Sequence, residues 1–146
     1  GEAKALLVSD ISKGSATISK SMKHYVNGVK PLKTASSRRT IQLDKQTLEV
    51  LNPLLERSTM YLFGDLEPVS LSTLQRSFKA ALDASGLKKI TIHDLRHSHA
   101  SYLIGNGANV VAVSKRLGHS DVNMTLKVYT HMLKESEAKL LEILNQ

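Results

Sequence analysis

His93 and Arg96 stand three residues apart in "TIHDLRHSHASYLIGNG", residues 91–107, with His97 and His99 close behind. In a helix, side chains spaced by three leave the same face, so an imidazole and a guanidinium would share one patch of surface. Further on, "LGHSDVNMTLKVYTH" adds His119 and, ten residues later, Tyr129. Lys33 lies in "PLKTASSRRTIQL", between two β-prone runs. Such a set suits phosphoryl transfer without a metal. A guanidinium holds two phosphate oxygens through paired, charge-assisted hydrogen bonds, a geometry that lysine cannot match. A phenol, ordinary pKa ~10, needs a base or strong local positive charge to become a nucleophile. Imidazole is the side chain best poised to move its proton. A departing oxygen needs a proton as well, and a lysine on a hairpin could deliver it. Positioning and electrostatics would then supply most of the rate.

These residues need a scaffold, and the chain offers one. At 146 residues it is long enough to bury an ordinary core, and its 41% hydrophobic and 23% charged residues fit a soluble globular protein. No apolar run approaches the ~20 residues that span a bilayer, and "GEAKALLVSD" shows no signal-peptide pattern. The absence of cysteine excludes disulfides and thiolate ligands, and suits a reducing cytoplasm. Twenty Lys and Arg against thirteen Asp and Glu give +7 and a pI near 9.7, a balance that points to nucleic acid. With no Trp and two Phe, stacking on single-stranded bases is poorly supported, and phosphate contacts to a duplex fit better.

Hydrophobic periodicity places the elements. "EAKALLVSDI" reads as the tail of a helix, with Ala3, Leu6 and Leu7 at helical spacing. "SATISKSM", the Asn27-Gly28 hairpin signal in "HYVNGVK", and "SRRTIQL" predict a small antiparallel sheet of three strands. Asp44 is an N-cap for a helix striped by Leu48, Leu51 and Leu55, which Pro53 should kink or interrupt. "MYLFG" is a short buried strand or extended link. Leu74, Phe78 and Leu82 stripe a second helix that ends at Gly86. Helices follow at about 93–104, 109–117 and 121–131, and "KESEAKLLEILNQ" carries an apolar stripe of Ala138, Leu141 and Leu144.

In this order and spacing, "HDLRHSHAS", "LGHSDVNMTLKVYTH" and "PLKTASSRRTIQL" resemble the tyrosine recombinases (the phage integrase family), especially integrases of Gram-positive phages and conjugative elements. The resemblance covers essentially the whole chain, 1–146, as one catalytic domain. It implies an α+β, mostly helical fold, a helical bundle beside a small three-stranded antiparallel sheet. It implies site-specific cleavage and rejoining of duplex DNA for integration or excision of a mobile element. Tyr129 matches the nucleophile that takes the 3′ phosphate, Arg96 the second phosphate-clamping arginine, and His93 the proton-handling residue of that box. His119 matches the later His that bonds the scissile phosphate, and Lys33 the hairpin lysine that protonates the leaving oxygen. Glu2 matches the acidic residue three positions after the first arginine, in a supporting role.

That arginine would lie two positions before Gly1, outside the sequence, as would the upstream DNA-binding domains, so the fragment alone is expected to be inactive. No metal, nucleotide or other cofactor is implied. The expected partners are attachment-site duplex DNA and further recombinase subunits, a tetramer on DNA, with no membrane and in the cytoplasm of a bacterial host.

Other readings of these residues stay open at this level. Tyr129 could be a buried helix aromatic, Lys33 a solvated loop lysine with Lys30 as competitor, and His131 a cap at a helix end. His97 and His99 read as structural or flanking. His93 and His97, at i and i+4, could start a zinc site, but Asp94 stands where a His-Glu-x-x-His protease has Glu. A recombinase-derived DNA-binding domain without chemistry is the alternative from a different class.

Overall fold

The structure is a computed structural model that describes residues 1–22, 29–31, 37–133, 140–142 and 144–145, with the backbone alone for 29–31 and 130–133. The chain divides into two units, Gly1–Ile92 and His93–Gln146.

The first unit opens with two short 3-10 turns, Ala3–Ala5 and Val8–Asp10. Leu6 and Leu7 between them are extended, against the expectation of a continuous helical tail. The reason is a competing partner. Leu62 N–H donates to Leu6 O at 3.0 Å and Val8 N–H to Met60 O at 2.9 Å, so residues 6–8 pair with the "MYLFG" link. Leu62 there is fully buried, as expected of that link.

Strands β1 (Ile11–Ser12), β2 (Ser15–Ile18), β3 (Lys20–Met22), β4 (Val29–Pro31) and β5 (Arg39–Gln42) follow. A three-stranded antiparallel sheet forms in the order β1-β2-β5, and β3 pairs separately with β4. The expected first strand is thus split at Ser19: β2 takes β5 as partner, and β3 takes β4, with Met22 opposite Val29. The Asn27-Gly28 signal lies outside the described residues, although the strands flanking it pair as a hairpin requires. β1 was not anticipated. It is joined to β2 by Lys13 (φ 48°) and Gly14 (φ 72°), two positive-φ residues that make the tight turn whose twist suits a hairpin. Ala16 and Ile18 alternate inward from β2 and are buried.

Helix α1 (Lys45–Arg57) starts where Asp44 caps it, the carboxylate accepting from Thr47 N–H at 2.9 Å and from the Thr47 hydroxyl at 2.7 Å. Those bonds hold the Asp44 carboxyl below its ordinary 3.8. Leu51 of the expected stripe is buried. Of the two outcomes expected at Pro53, a kink or an interruption, the second does not occur: the helix runs through it. The bond it cannot make would have gone to the carbonyl of Glu49, an exposed residue that water can serve. Helix α2 (Leu71–Ser85) runs from a Ser70 cap to Gly86. Leu74, Phe78 and Leu82 form its half-buried side.

The second unit holds α3 (Ile92–Gly105), α4 (Val110–Leu117) and α5 (Val122–Leu133). Asn109 caps α4, accepting from Val111 and Ala112 N–H. Ala100 and Ile104 of α3, Val113 and Leu117 of α4 and Tyr129 of α5 make the buried cluster, with Leu103, Ala108 and Val110 packed against it. The fold expected from the sequence, mostly helical with a small antiparallel sheet, is the one observed. Among the described residues no helix is long and apolar enough to cross a membrane.

Candidate active site

The geometry begins at the end of α4. Gly118 is left-handed (φ 74°), its N–H donates to Lys115 O at 3.0 Å, and His119 N–H donates to Ser114 O at 3.1 Å. This pair of bonds is the Schellman closure of a helix, and it needs the positive φ that glycine supplies without strain. It fixes the backbone of His119 to the helix end and leaves the Leu117 carbonyl outside the intrahelical ladder. Arg96 takes that carbonyl, its guanidinium Nη2 donating to Leu117 O from α3. The arginine on α3 and the histidine after α4 are therefore tied within two residues of each other. A cation at the negative end of a short helix is favourable in itself.

His119 is held at its ring as well as its backbone. Its Nδ1 lies 2.8 Å from the Thr125 hydroxyl oxygen on α5. Four residues along α5, on the same face, Tyr129 enters the core with 4% of its surface exposed. Its hydroxyl lies 3.2 Å from His97 Nδ1 and 3.3 Å from the His97 carbonyl oxygen. The His97 ring in turn meets His93 edge to face, with centroids 5.2 Å apart, as i, i+4 neighbours on one helix face can. His93 and His97 are exposed and Arg96 is half-buried.

Four of the sequence-derived residues thus fall in one unit: His93, Arg96, His119 and Tyr129, on α3, the α4–α5 turn and α5. His97, read from the sequence as structural or flanking, has its ring on the Tyr129 hydroxyl. His99 accepts from Arg116 Nε at 3.1 Å, linking α3 to α4. Two further contributors went unread, the Leu117 carbonyl and Thr125. A helical Thr four residues before the Tyr was the available signal for the second, and nothing in the sequence marked the first. The His131 side chain lies outside the described residues, as does Lys33.

Glu2 belongs to the first unit, where its carboxylate receives both terminal nitrogens of Arg39 on β5, each at 2.9 Å. Arg39 Nη1 also donates to the Ser37 carbonyl at 3.1 Å. The paired geometry is the strong form of the interaction, and the Arg39 side chain is 13% exposed. It staples the N-terminal turn to the sheet, which matches a supporting role better than a chemical one. Glu2→Gln is expected to lower stability by about 1–2 kcal/mol, read as a lower denaturant midpoint at unchanged slope. An unchanged midpoint would reduce the pair to surface decoration.

Residues 1–136 match the phage integrase family. The chain belongs to that family, the tyrosine recombinases. It is 29% identical over 143 residues to a prophage ps2 probable integrase of Lactococcus lactis, covering 84% of this chain and 37% of that protein. It is 35% identical over 105 residues to the tyrosine recombinase XerD of Staphylococcus saprophyticus, covering 68% of this chain and 35% of XerD. The chain thus spans little more than a third of the length of these relatives. Its fold is similar to that of the Tn1549 transposon integrase solved with a circular intermediate DNA (TM-score 0.81, 18% identity, 97% of this chain and 53% of that one).

Proposed function

We propose that this chain is the catalytic region of a site-specific DNA recombinase that cleaves and rejoins duplex DNA for a mobile element, in the cytoplasm of a bacterial host. The observation that carries this is the convergence of Arg96, His119 and Tyr129, an anion clamp, an imidazole and a phenol, from three elements of one unit. Tyr129 Oη attacks the scissile phosphorus, the bond to the 5′ oxygen breaks, and a 3′-phosphotyrosyl ester forms. The phenolic proton has an imidazole acceptor within reach at His97 Nδ1, 3.2 Å away, whose ring packs on that of His93. Arg96 pairs the non-bridging oxygens, and His119 donates to one of them. The 5′ oxygen leaves as a hydroxyl with a proton from Lys33. A second 5′ hydroxyl reverses these steps on the new partner strand, and the ester conserves the bond energy between them.

Assembly on DNA involves further recombinase subunits, in keeping with the exposed Leu140, Leu141 and Leu144 near the C-terminus. Ala138, the remaining member of that stripe, is outside the described residues.

The test is direct. The recombinase carrying this region, mixed with a duplex nicked near the cleavage site, should yield an adduct stable to boiling detergent. Mass spectrometry of its peptides should place a nucleotide on Tyr129. The second reading, a DNA-binding domain without chemistry, predicts binding alone, with affinity falling roughly 10²-fold between about 50 and 200 mM salt if some four phosphates are neutralised. Such binding with no adduct would decide for that reading.

A further inference from the structure

His119 can meet a phosphate in two ways, and they are chemically opposite. With its neutral-form hydrogen on Nε2 it donates to a phosphate oxygen; with that hydrogen on Nδ1 it presents a lone pair that repels one. Which form is populated depends on what Nδ1 touches. In this structure it touches the Thr125 hydroxyl at 2.8 Å.

Thr125 has no exposed surface. Among the described residues its hydroxyl makes this one hydrogen bond. A helical threonine commonly sends its hydrogen to the carbonyl four residues back. Here that carbonyl belongs to Asp121, which accepts from Met124 N–H at 3.2 Å and receives no bond from the Thr125 hydroxyl. If Nδ1 carried a hydrogen and donated to Thr125, the threonine's own hydrogen would point into a core with no acceptor. A buried donor without a partner is among the costlier defects a fold can carry. The arrangement that leaves nothing unpaired has the hydroxyl donating to a bare Nδ1.

We propose that Thr125 is a positioning residue that sets the tautomer of His119, so that the neutral imidazole presents Nε2–H as a hydrogen-bond donor. The catalytic consequence rests on the reading of His119 as the group that faces the scissile phosphate; the tautomer does not. Thr125 and Tyr129 are one helical turn apart on α5. The helix that carries the nucleophile therefore also holds the donor's orientation, and a shift of α5 would disturb both together.

The experiment is nitrogen-15 NMR of the imidazole rings in the 146-residue chain at about pH 8, above the ordinary imidazole range of ~6.5. His119 is assigned by the loss of its signals in His119→Gln. The expected spectrum shows a bare Nδ1 and a protonated Nε2. Thr125→Val, close in volume but lacking the hydroxyl, should collapse this into an exchange-averaged mixture, and Thr125→Ser should restore it. In the cleavage assay Thr125→Val should slow the reaction on the order of tenfold, the scale of losing an orienting bond, with Thr125→Ser near wild type. A hydrogen on Nδ1 in the wild-type chain, or an unchanged tautomer in Thr125→Val, overturns the proposal. Should the Val variant not fold, the wild-type and Ser spectra still decide it. If the tautomer is as stated but His119→Gln cleaves normally, the role of His119 at the phosphate fails and the tautomer assignment stands.

Discussion

Tyr129→Phe should form no covalent DNA adduct, a loss of at least about 10³-fold, because on the proposed mechanism it removes the one atom that bonds to phosphorus and nothing else. The substitution is a clean probe in this fold. The ring belongs to the core cluster with Ala100, Ile104, Val113 and Leu117, and Phe keeps its shape there. What goes is a hydroxyl whose partners are the Nδ1 and carbonyl of a single residue, His97. His97 is exposed, and water can replace the phenol at its ring. Thermal melting and DNA gel shifts of the variant should therefore stay near wild type while trapping on a nicked duplex fails. An adduct formed by the Phe variant would mean that another side chain is the nucleophile. A variant that loses DNA binding along with the adduct would mean that the hydroxyl serves structure, and the chemical reading of Tyr129 would fall.

On the proposed mechanism this tyrosine is at once buried and reactive, and its surroundings show how far sequence patterns reach. The His93–Arg96 box is a local pattern that helical geometry turns into a shared face, whereas His119, in the turn before α5, is placed by the closure of α4 and by its contact with Thr125. Caps are equally local: Asp44 and Gly86 mark their helix ends because each satisfies or permits a backbone conformation within a few residues. The remainder is tertiary. Arg39, the first residue of β5, follows directly on Arg38, and only the fold selects it as the partner of Glu2. The Leu117 carbonyl has no sequence signature, since every helix ends in carbonyls that lack intrahelical partners. Leu6 and Leu7 had helical spacing but were claimed by residues 60–62, a pairing across more than fifty positions. The β1–β2 turn was missed for a different reason, because its first residue is Lys13 rather than the Asn or Asp usual at positive φ. Burial of the Tyr129 ring is compatible with the proposed attack by its hydroxyl because the two ends of a phenol can occupy different surroundings.

Arg96→Ala should reduce the single-turnover cleavage rate by about 10³-fold and Arg96→Lys by about 10²-fold, the scale of losing a preorganised donor to transition-state charge. The order follows from geometry. Lysine keeps the charge but offers no planar fork to two phosphate oxygens. Arg96 has a second task in this structure, its bond to the Leu117 carbonyl, which ties α3 to the turn that carries His119. Alanine leaves that carbonyl without its guanidinium and should cost about 1–3 kcal/mol, visible as a lower melting temperature. Lysine, whose three N–H donors sit on a single nitrogen and cannot spread to the carbonyl and a phosphate as the fork does, should recover much of the stability and little of the rate. The two variants thus separate the tasks. Equal cleavage by Arg96→Lys and wild type would show that charge alone suffices and the paired clamp is wrong. Loss of rate in strict proportion to loss of stability, across both variants and at temperatures well below melting, would make Arg96 a brace for the turn rather than a group that acts on the phosphate.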